Sequence, residues 1–323
     1  MVSKPAEGID EARAHSRHWA QTPERGNATW VAIGTYLATL FRRPLSYRVL
    51  YLVALYFFVS APHARRHARE YLRRVLPREP RTRDVFRQVF AFATTILDRL
   101  YLSQERFEFF DISSEGEALM DEPIDRGCGA FLLGAHLGSF EMVGALGRHR
   151  RGLKVAMAMY QQQASRLTAL FQAGRPGSAP EIIALGQLDA MLRIRDCLDE
   201  GKFVGMLADR TLGEAPAHRV MFLGSPTLFP LGPMRLAAAL RRPVYFMTAL
   251  VRGGNRYHVV LRQVADFSQG TPGGREPAVR AAVERYAQVL EECCRSDPYN
   301  WFNFYDFWQP AQLPDESVRG ERA

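Results

Sequence analysis

A chain of 323 residues with 47% hydrophobic and 24% charged side chains is too apolar for a disordered protein and long enough for one large α/β domain or two modest ones. The formal net charge of +8 and a pI near 9.5 imply an anionic partner. Cys128, Cys197, Cys293 and Cys294 show neither metal-type pairing nor a disulfide framework, which argues against a secreted scaffold and for a reducing compartment.

Residues 1–27 are polar and charged and read as a flexible lead, without a hydrophobic region suited to a secretion signal. From Trp30 to Phe41 and from Val49 to Ala61 the chain is nearly all apolar, with Arg42, Arg43, Pro44 and Arg48 between the runs. Each run is shorter than the ~20 residues that span a bilayer as a helix. They suit a re-entrant or interfacial helical pair, or ordinary core. Arg65, Arg66, Arg69, Arg73, Arg74, Arg78, Arg81 and Arg83 follow, with His63 and His67 among them. Such cations attract anionic headgroups at about 1 kcal/mol per charge near the surface. A solvated basic helix or a nucleic-acid patch would look similar. Contiguity with the apolar runs favours membrane association over 28–83 and no nucleic acid, with the α/β domain proper over 84–323.

Within that domain, Asp84 to Tyr101 carries a broad helical apolar face. The pattern then predicts a strand over Phe107–Ile112, a short helix over Ser114–Met120, and a strand running into His136. A strand over Leu153–Met159, a helix over Gln162–Phe171, a strand over Glu181–Leu185, a helix over Leu188–Leu198 and a strand over Lys202–Ala208 come next. This alternation predicts an α/β fold, a mixed but mostly parallel sheet flanked by helices. Arg219 to Leu223 reads as a strand, the stretch from Gly224 to Pro233 as a turn and a rigid proline-rich loop, and Met234–Leu240 as a helix. Pro243–Val251 and Tyr257–Val264 form a hairpin through Gly253-Gly254-Asn255. Ala278–Cys294 is a long amphipathic helix. The aromatic run from Tyr299 to Trp308 suits a cap on the core, with membrane contact or the wall of an acyl groove as the other reading.

The chemistry concentrates at the box His136-Leu137-Gly138-Ser139-Phe140-Glu141. It follows a short apolar strand bounded by glycines and opens an amphipathic helix. His136 therefore sits at a strand's C-terminal end, where open α/β folds place their sites. On one regular helix, residues five apart would lie roughly 140° from each other. With His136 in the loop and Glu141 in the first turn, the two side chains can converge. The carboxylate could then orient the imidazole while the other ring nitrogen takes a proton from a hydroxyl. The amides of Gly138 and Ser139 could face a developing oxyanion. There is no His-Glu-x-x-His zinc helix and no Gly-x-Ser-x-Gly elbow. Gly127-Cys128-Gly129 precedes its strand and is no dinucleotide loop. Nothing adjacent to Cys128 activates it as a nucleophile. A second constellation, Asp209-Arg210 with Glu214 beyond, also ends an apolar strand. Arg210 suits a phosphate or a developing carbonyl charge with Asp209 holding it, or the two form a structural pair capping a loop.

These pieces in this order resemble the bacterial lipid A late acyltransferases, the lauroyl and myristoyl transferases of lipopolysaccharide assembly. The likeness runs from about Ser16. It rests on the N-terminal apolar segment with its basic follow-on, the His136-x4-Glu141 box, Ala208-Asp209-Arg210, and Phe222-Leu223-Gly224 before the proline-rich loop. It implies acyl transfer from an acyl carrier protein or coenzyme A thioester to a hydroxyl of a lipid-linked acceptor. It also implies work at the cytoplasmic face of the inner membrane, peripheral or monotopic, with no metal or redox cofactor. On this resemblance His136 is the general base, Glu141 its partner, and Asp209 and Arg210 assist the acyl carbonyl or a phosphate; the residue reading above adds Gly138 and Ser139 at the substrate. Ser16-Arg17-His18-Trp19 and Asn300–Trp308 are more similar to relatives found with aryl-polyene pathways, which bears on the acceptor and not on the reaction. A non-catalytic lipid-binding protein and an acyl-thioester hydrolase are the competing readings.

Overall fold

The computed structural model describes residues 43–160, 181–187, 189–211, 215–271 and 273–308. The polar lead, the apolar run Trp30–Phe41, the expected helix Gln162–Phe171 and Glu214 lie outside the described residues.

Three helices precede the sheet: α1 (Arg43–Ser60), α2 (Pro62–Val75) and α3 (Thr82–Ser103). Strands β1 (Asp111–Glu115) and β2 (Phe131–Gly134) follow, with α4 (Asp121–Asp125) between them. Next come α5 (Phe140–Arg151), β3 (Val155–Tyr160), β4 (Glu181–Leu185), α6 (Ala190–Asp199) and β5 (Phe203–Leu207). The hairpin of β6 (Ala217–Phe222) and β7 (Ser225–Pro230) leads to α7 (Gly232–Ala239), β8 (Pro243–Val251), β9 (Arg256–Asp266) and α8 (Arg275–Ser296).

Seven strands form one sheet in the order β1-β9-β8-β2-β5-β3-β4, and only the β8–β9 pair is antiparallel. This is the mostly parallel mixed sheet that the alternating pattern predicts. β2 lies between β5 and β8 with every residue buried. Its pleat sends Phe131 and Leu133 into one cluster, with Ile194 of α6 and Tyr286 and Leu290 of α8, and Leu132 into the other, with Met142 and Leu146 of α5. The body is therefore helix, sheet, helix.

Three expectations shift. The strand predicted over Phe107–Ile112 begins later, because a 3-10 turn occupies Phe107–Phe109 and the chain pairs only from Asp111. Ser114 belongs to that strand rather than to a helix, and left-handed Gly116 ends it. The proline-rich loop is strand β7. Phe222 pairs with Ser225 across a two-residue turn in which Leu223 and Gly224 both have positive φ, the conformation that tight hairpins need.

Ala68, Tyr71, Leu72 and Val75 of α2 share one core cluster with Phe222, Leu290 and Trp301. α2 thus packs into the same core as the hairpin and α8. No single helix among the described residues is long and apolar enough to cross a membrane. One pair, Leu45–Ser60 and Pro62–Val75, passes by length and composition and is bent by 95°.

Candidate active site at the ends of two neighbouring strands

β2 and β5 are parallel neighbours, and their last register pair is Gly134 with Leu207. Ala208 N–H extends the ladder to the Gly134 carbonyl at 3.0 Å. His136 and Asp209 each stand two residues beyond that pair, so the register alone sets them side by side. Strand ends of this kind, near the middle of an open parallel sheet, leave backbone and side chains facing one crevice.

The His136 loop is clamped on both sides. Gly138 N–H donates to the Asn300 carbonyl and Ser139 N–H to the Ala249 carbonyl, both at 2.8 Å, and Phe302 N–H donates to the His136 carbonyl at 2.7 Å. Thr248 Oγ1 donates to the Leu137 carbonyl at 2.6 Å. Gly138 has φ of 63°, and a Cβ there would stand 2.2 Å from the Ala249 carbonyl oxygen. Only glycine fits. Ser139 caps α5 by accepting the Met142 N–H at 3.2 Å. The Phe140 ring lies where Cβ atoms on Gly134 and Gly205 would be, at 2.6 and 2.8 Å. The apolar face of α5 thereby seats directly on the two strands. Because both loop amides are already bonded within the fold, the expected oxyanion role for the Gly138 and Ser139 N–H groups is corrected. They build the loop.

His136 Nδ1 is 2.8 Å from Asp209 Oδ1, and its backbone N–H donates to Asp209 Oδ2 at 3.0 Å. Trp301 Nε1 donates to that second oxygen at 3.2 Å. Asp209 is fully buried and the His136 side chain is 22% exposed. A carboxylate at Nδ1 assigns the proton to that nitrogen and leaves Nε2 the acceptor. Burial holds the imidazole below its ordinary 6.5, the pull of Asp209 only partly offsets this, and the positive Arg210 and Arg99 add to the lowering. Burial pushes the Asp209 carboxyl up, but His136 and Arg210 outweigh it and hold it down to about 2. The pair at neutral pH is therefore carboxylate and uncharged imidazole.

Glu141, expected to orient His136, does not. It lies in the first turn of α5 and pairs with Arg99 of α3, Nε to Oε1 at 3.1 Å. His136 does lie in the loop before the helix, as the spacing requires, but spacing along one chain segment reports neither a cation on another helix nor a carboxylate on the neighbouring strand. Arg210 does not rest on Asp209 either. Its Nε donates to Asn303 Oδ1 at 3.2 Å, its NH2 to the Phe302 carbonyl at 3.3 Å, and its guanidinium lies 5.0 Å from the Tyr305 ring centre.

The aromatic run after α8 supplies this third wall. Trp301 is fully buried against Tyr71, Phe222, Phe307 and Trp308. Asn300 makes a pair of hydrogen bonds with the Val251 backbone, accepting its N–H at 2.7 Å and donating to its carbonyl at 3.1 Å. The run caps the core, as one of its two readings held, and also carries Trp301 and Asn303 to the site. Arg99, Trp301 and Asn303 were missed as site residues. The alternation of polar and aromatic residues in Asn300–Asp306 was the available signal, and Arg99 left none.

The family model described as bacterial lipid A biosynthesis acyltransferase matches residues 16–309. No curated protein matches the chain.

Proposed function

The chain belongs to the family of bacterial lipid A biosynthesis acyltransferases, which move acyl groups onto lipid acceptors, and on that premise we propose that His136 is the general base, oriented by Asp209. One observation carries the assignment: the 2.8 Å contact of Nδ1 with a wholly buried carboxylate. It fixes the ring and its tautomer and keeps Nε2 unprotonated. Nε2 takes the proton of an acceptor hydroxyl, and the oxygen attacks the carbonyl carbon of an acyl thioester. The tetrahedral adduct collapses with cleavage of the carbon–sulfur bond, and the imidazolium returns its proton to the leaving thiolate. Arg210, held by Asn303 and the Phe302 carbonyl, is the cation available to the developing oxyanion or to a phosphate. Every step is a proton or acyl transfer, so the reading uses a thioester of an acyl carrier protein or coenzyme A as co-substrate and calls on no metal or redox cofactor.

The same reading places the enzyme on the cytoplasmic face of the inner membrane. α1 exposes Leu45, Tyr51, Leu52, Tyr56 and Val59, and the arginines of α2 begin one turn beyond. Two of those arginines are spent inside the fold: Arg65 ties α2 to α1 through the Phe58 and Val59 carbonyls, and Arg69 bonds the Pro80 carbonyl in the connection to α3. Arg78, in that connection, holds Asp84 of α3 at 2.7 Å. The membrane role is thus shared with fixing α2 against α1 and the connection to α3.

The test is transfer of an acyl group from a thioester to lipid acceptors in vesicles, read by mass spectrometry. His136→Ala is expected to lose about 10²–10⁴-fold in rate. A folded His136→Ala protein that still transfers at the wild-type rate rejects the assignment. Free acid released at an unchanged rate without acceptor would make the protein a hydrolase.

A further inference from the structure

Glu141 stands in the box beside His136, yet its carboxylate is only half used. Arg99 Nε lies 3.1 Å from Oε1, with the two side chains 30% and 13% exposed. That is ion-pair distance. The Nε–H is not aimed at the oxygen, however, and among the described residues neither Arg99 Nε nor Glu141 Oε2 has a hydrogen-bond partner, although both atoms are buried. Buried polar atoms are nearly always bonded, and an orphan costs about 1–3 kcal/mol. Such an orphan calls for an explanation, and Arg99, whose charge acts on His136, links this one to the site.

Arg99 is well supported for the task. α3 is tied to the site's third wall, because Gln88 Nε2 donates to the Trp301 carbonyl at 2.5 Å and Tyr299 donates to Asp84 at 3.0 Å. Leu102 of α3 packs in the cluster that holds Met142 of α5. The charged groups acting on His136 are Asp209 and Arg210 beyond β5, and Arg99 from α3.

We propose that Arg99 is a positioning residue that grips Glu141 by one carboxylate oxygen and leaves the other as the acceptor for an O–H or N–H donor on the substrate. The proposal rests on the acyl-transfer reading for its substrate. The donor is a hydroxyl of the lipid acceptor or an amide N–H of the thioester's carrier arm, and separate KM values tell them apart.

Arg99→Gln, Arg99→Lys, Glu141→Gln and the double variant Arg99→Gln/Glu141→Gln test it in the full chain, alongside thermal melting. Arg99→Gln should lose tenfold to hundredfold in kcat/KM, on the order of what a ~1 Å misplacement costs. KM should rise for the acceptor or for the thioester, and Arg99→Lys should recover part of the loss even if the glutamine variant folds poorly. The double variant should lose no more than the worse single one, since both act through one carboxylate. NMR titration of the His136 imidazole, which needs no substrate, should move upward in Arg99→Gln as a nearby positive charge is removed. An unchanged kcat/KM, additive losses in the double variant, or an unmoved imidazole each overturns the proposal. A wild-type protein that transfers no acyl group defeats the acyl-transfer reading instead, and the imidazole titration still judges the place of Arg99.

Discussion

Two carboxylates flank His136, one on the neighbouring strand's end and one five residues on in its own box, and they are treated in opposite ways. Asp209 is wholly buried, with one oxygen on the His136 ring and the other taking N–H groups from the His136 backbone and Trp301. Glu141 is 13% exposed and, among the described residues, has one imperfectly aligned cation and one oxygen without a donor. A carboxylate with both oxygens bonded inside the fold is a fixed part of the frame. One left half-bonded still has a free acceptor, which a ligand can fill. The pair therefore separates orienting the base from receiving the substrate, two jobs that the box alone would assign to one residue.

The sharpest way to break this contrast is Asp209→Asn. Two N–H groups point at Oδ2, so the amide oxygen is expected to settle there and turn its NH2 toward His136 Nδ1. The ring must then carry its proton on Nε2, where a base is needed. The expected loss is within the 10²–10⁴-fold range of general-base removal, with the melting temperature little changed. A smaller loss than that of Glu141→Gln, about tenfold to hundredfold if ~1 Å of positioning is given up, would reverse the two roles.

Trp301→Phe probes the frame with the ring kept, since truncation to alanine would add about 3–5 kcal/mol of cavity cost. Losing one donor to a buried carboxylate should lower stability by about 1.5–3 kcal/mol in denaturant titration. Activity should fall less than in Asp209→Asn, because the Nδ1 contact survives. The mildest test is pH. A base must be unprotonated, and His136 titrates below its ordinary 6.5 in the folded protein. The acidic limb of kcat/KM should therefore fall below pH 6.5 and the profile stay flat above it toward neutrality. A limb above that value would mean that Asp209 dominates the burial and the two arginines.

Much of the layout was legible along the chain. The apolar run Phe131–Ala135 and the helix-like tail of the box lie where the structure has β2 and α5. The strand over Glu181–Leu185 coincides with β4. The partner of His136 was not legible, nor was Arg99. Hydrogen bonds that decide the site join residues 73 and 92 positions apart in sequence, and no periodicity reports on them. The proline-rich stretch misled for a related reason. β7 pairs only with β6 in a two-stranded sheet, so its prolines give up few ladder bonds, and a pattern of prolines alone reads as loop.

By itself, the sequence determined which segments form strands and helices, where the box begins its helix, and which family the chain resembles. Each of these follows from side chains within a few positions of one another. The tertiary structure alone decided that Asp209 and not Glu141 meets the imidazole. The reason is the parallel register of β2 and β5, which sets His136 and Asp209 each two residues past Gly134 and Leu207, while α3 brings Arg99 across to claim the glutamate.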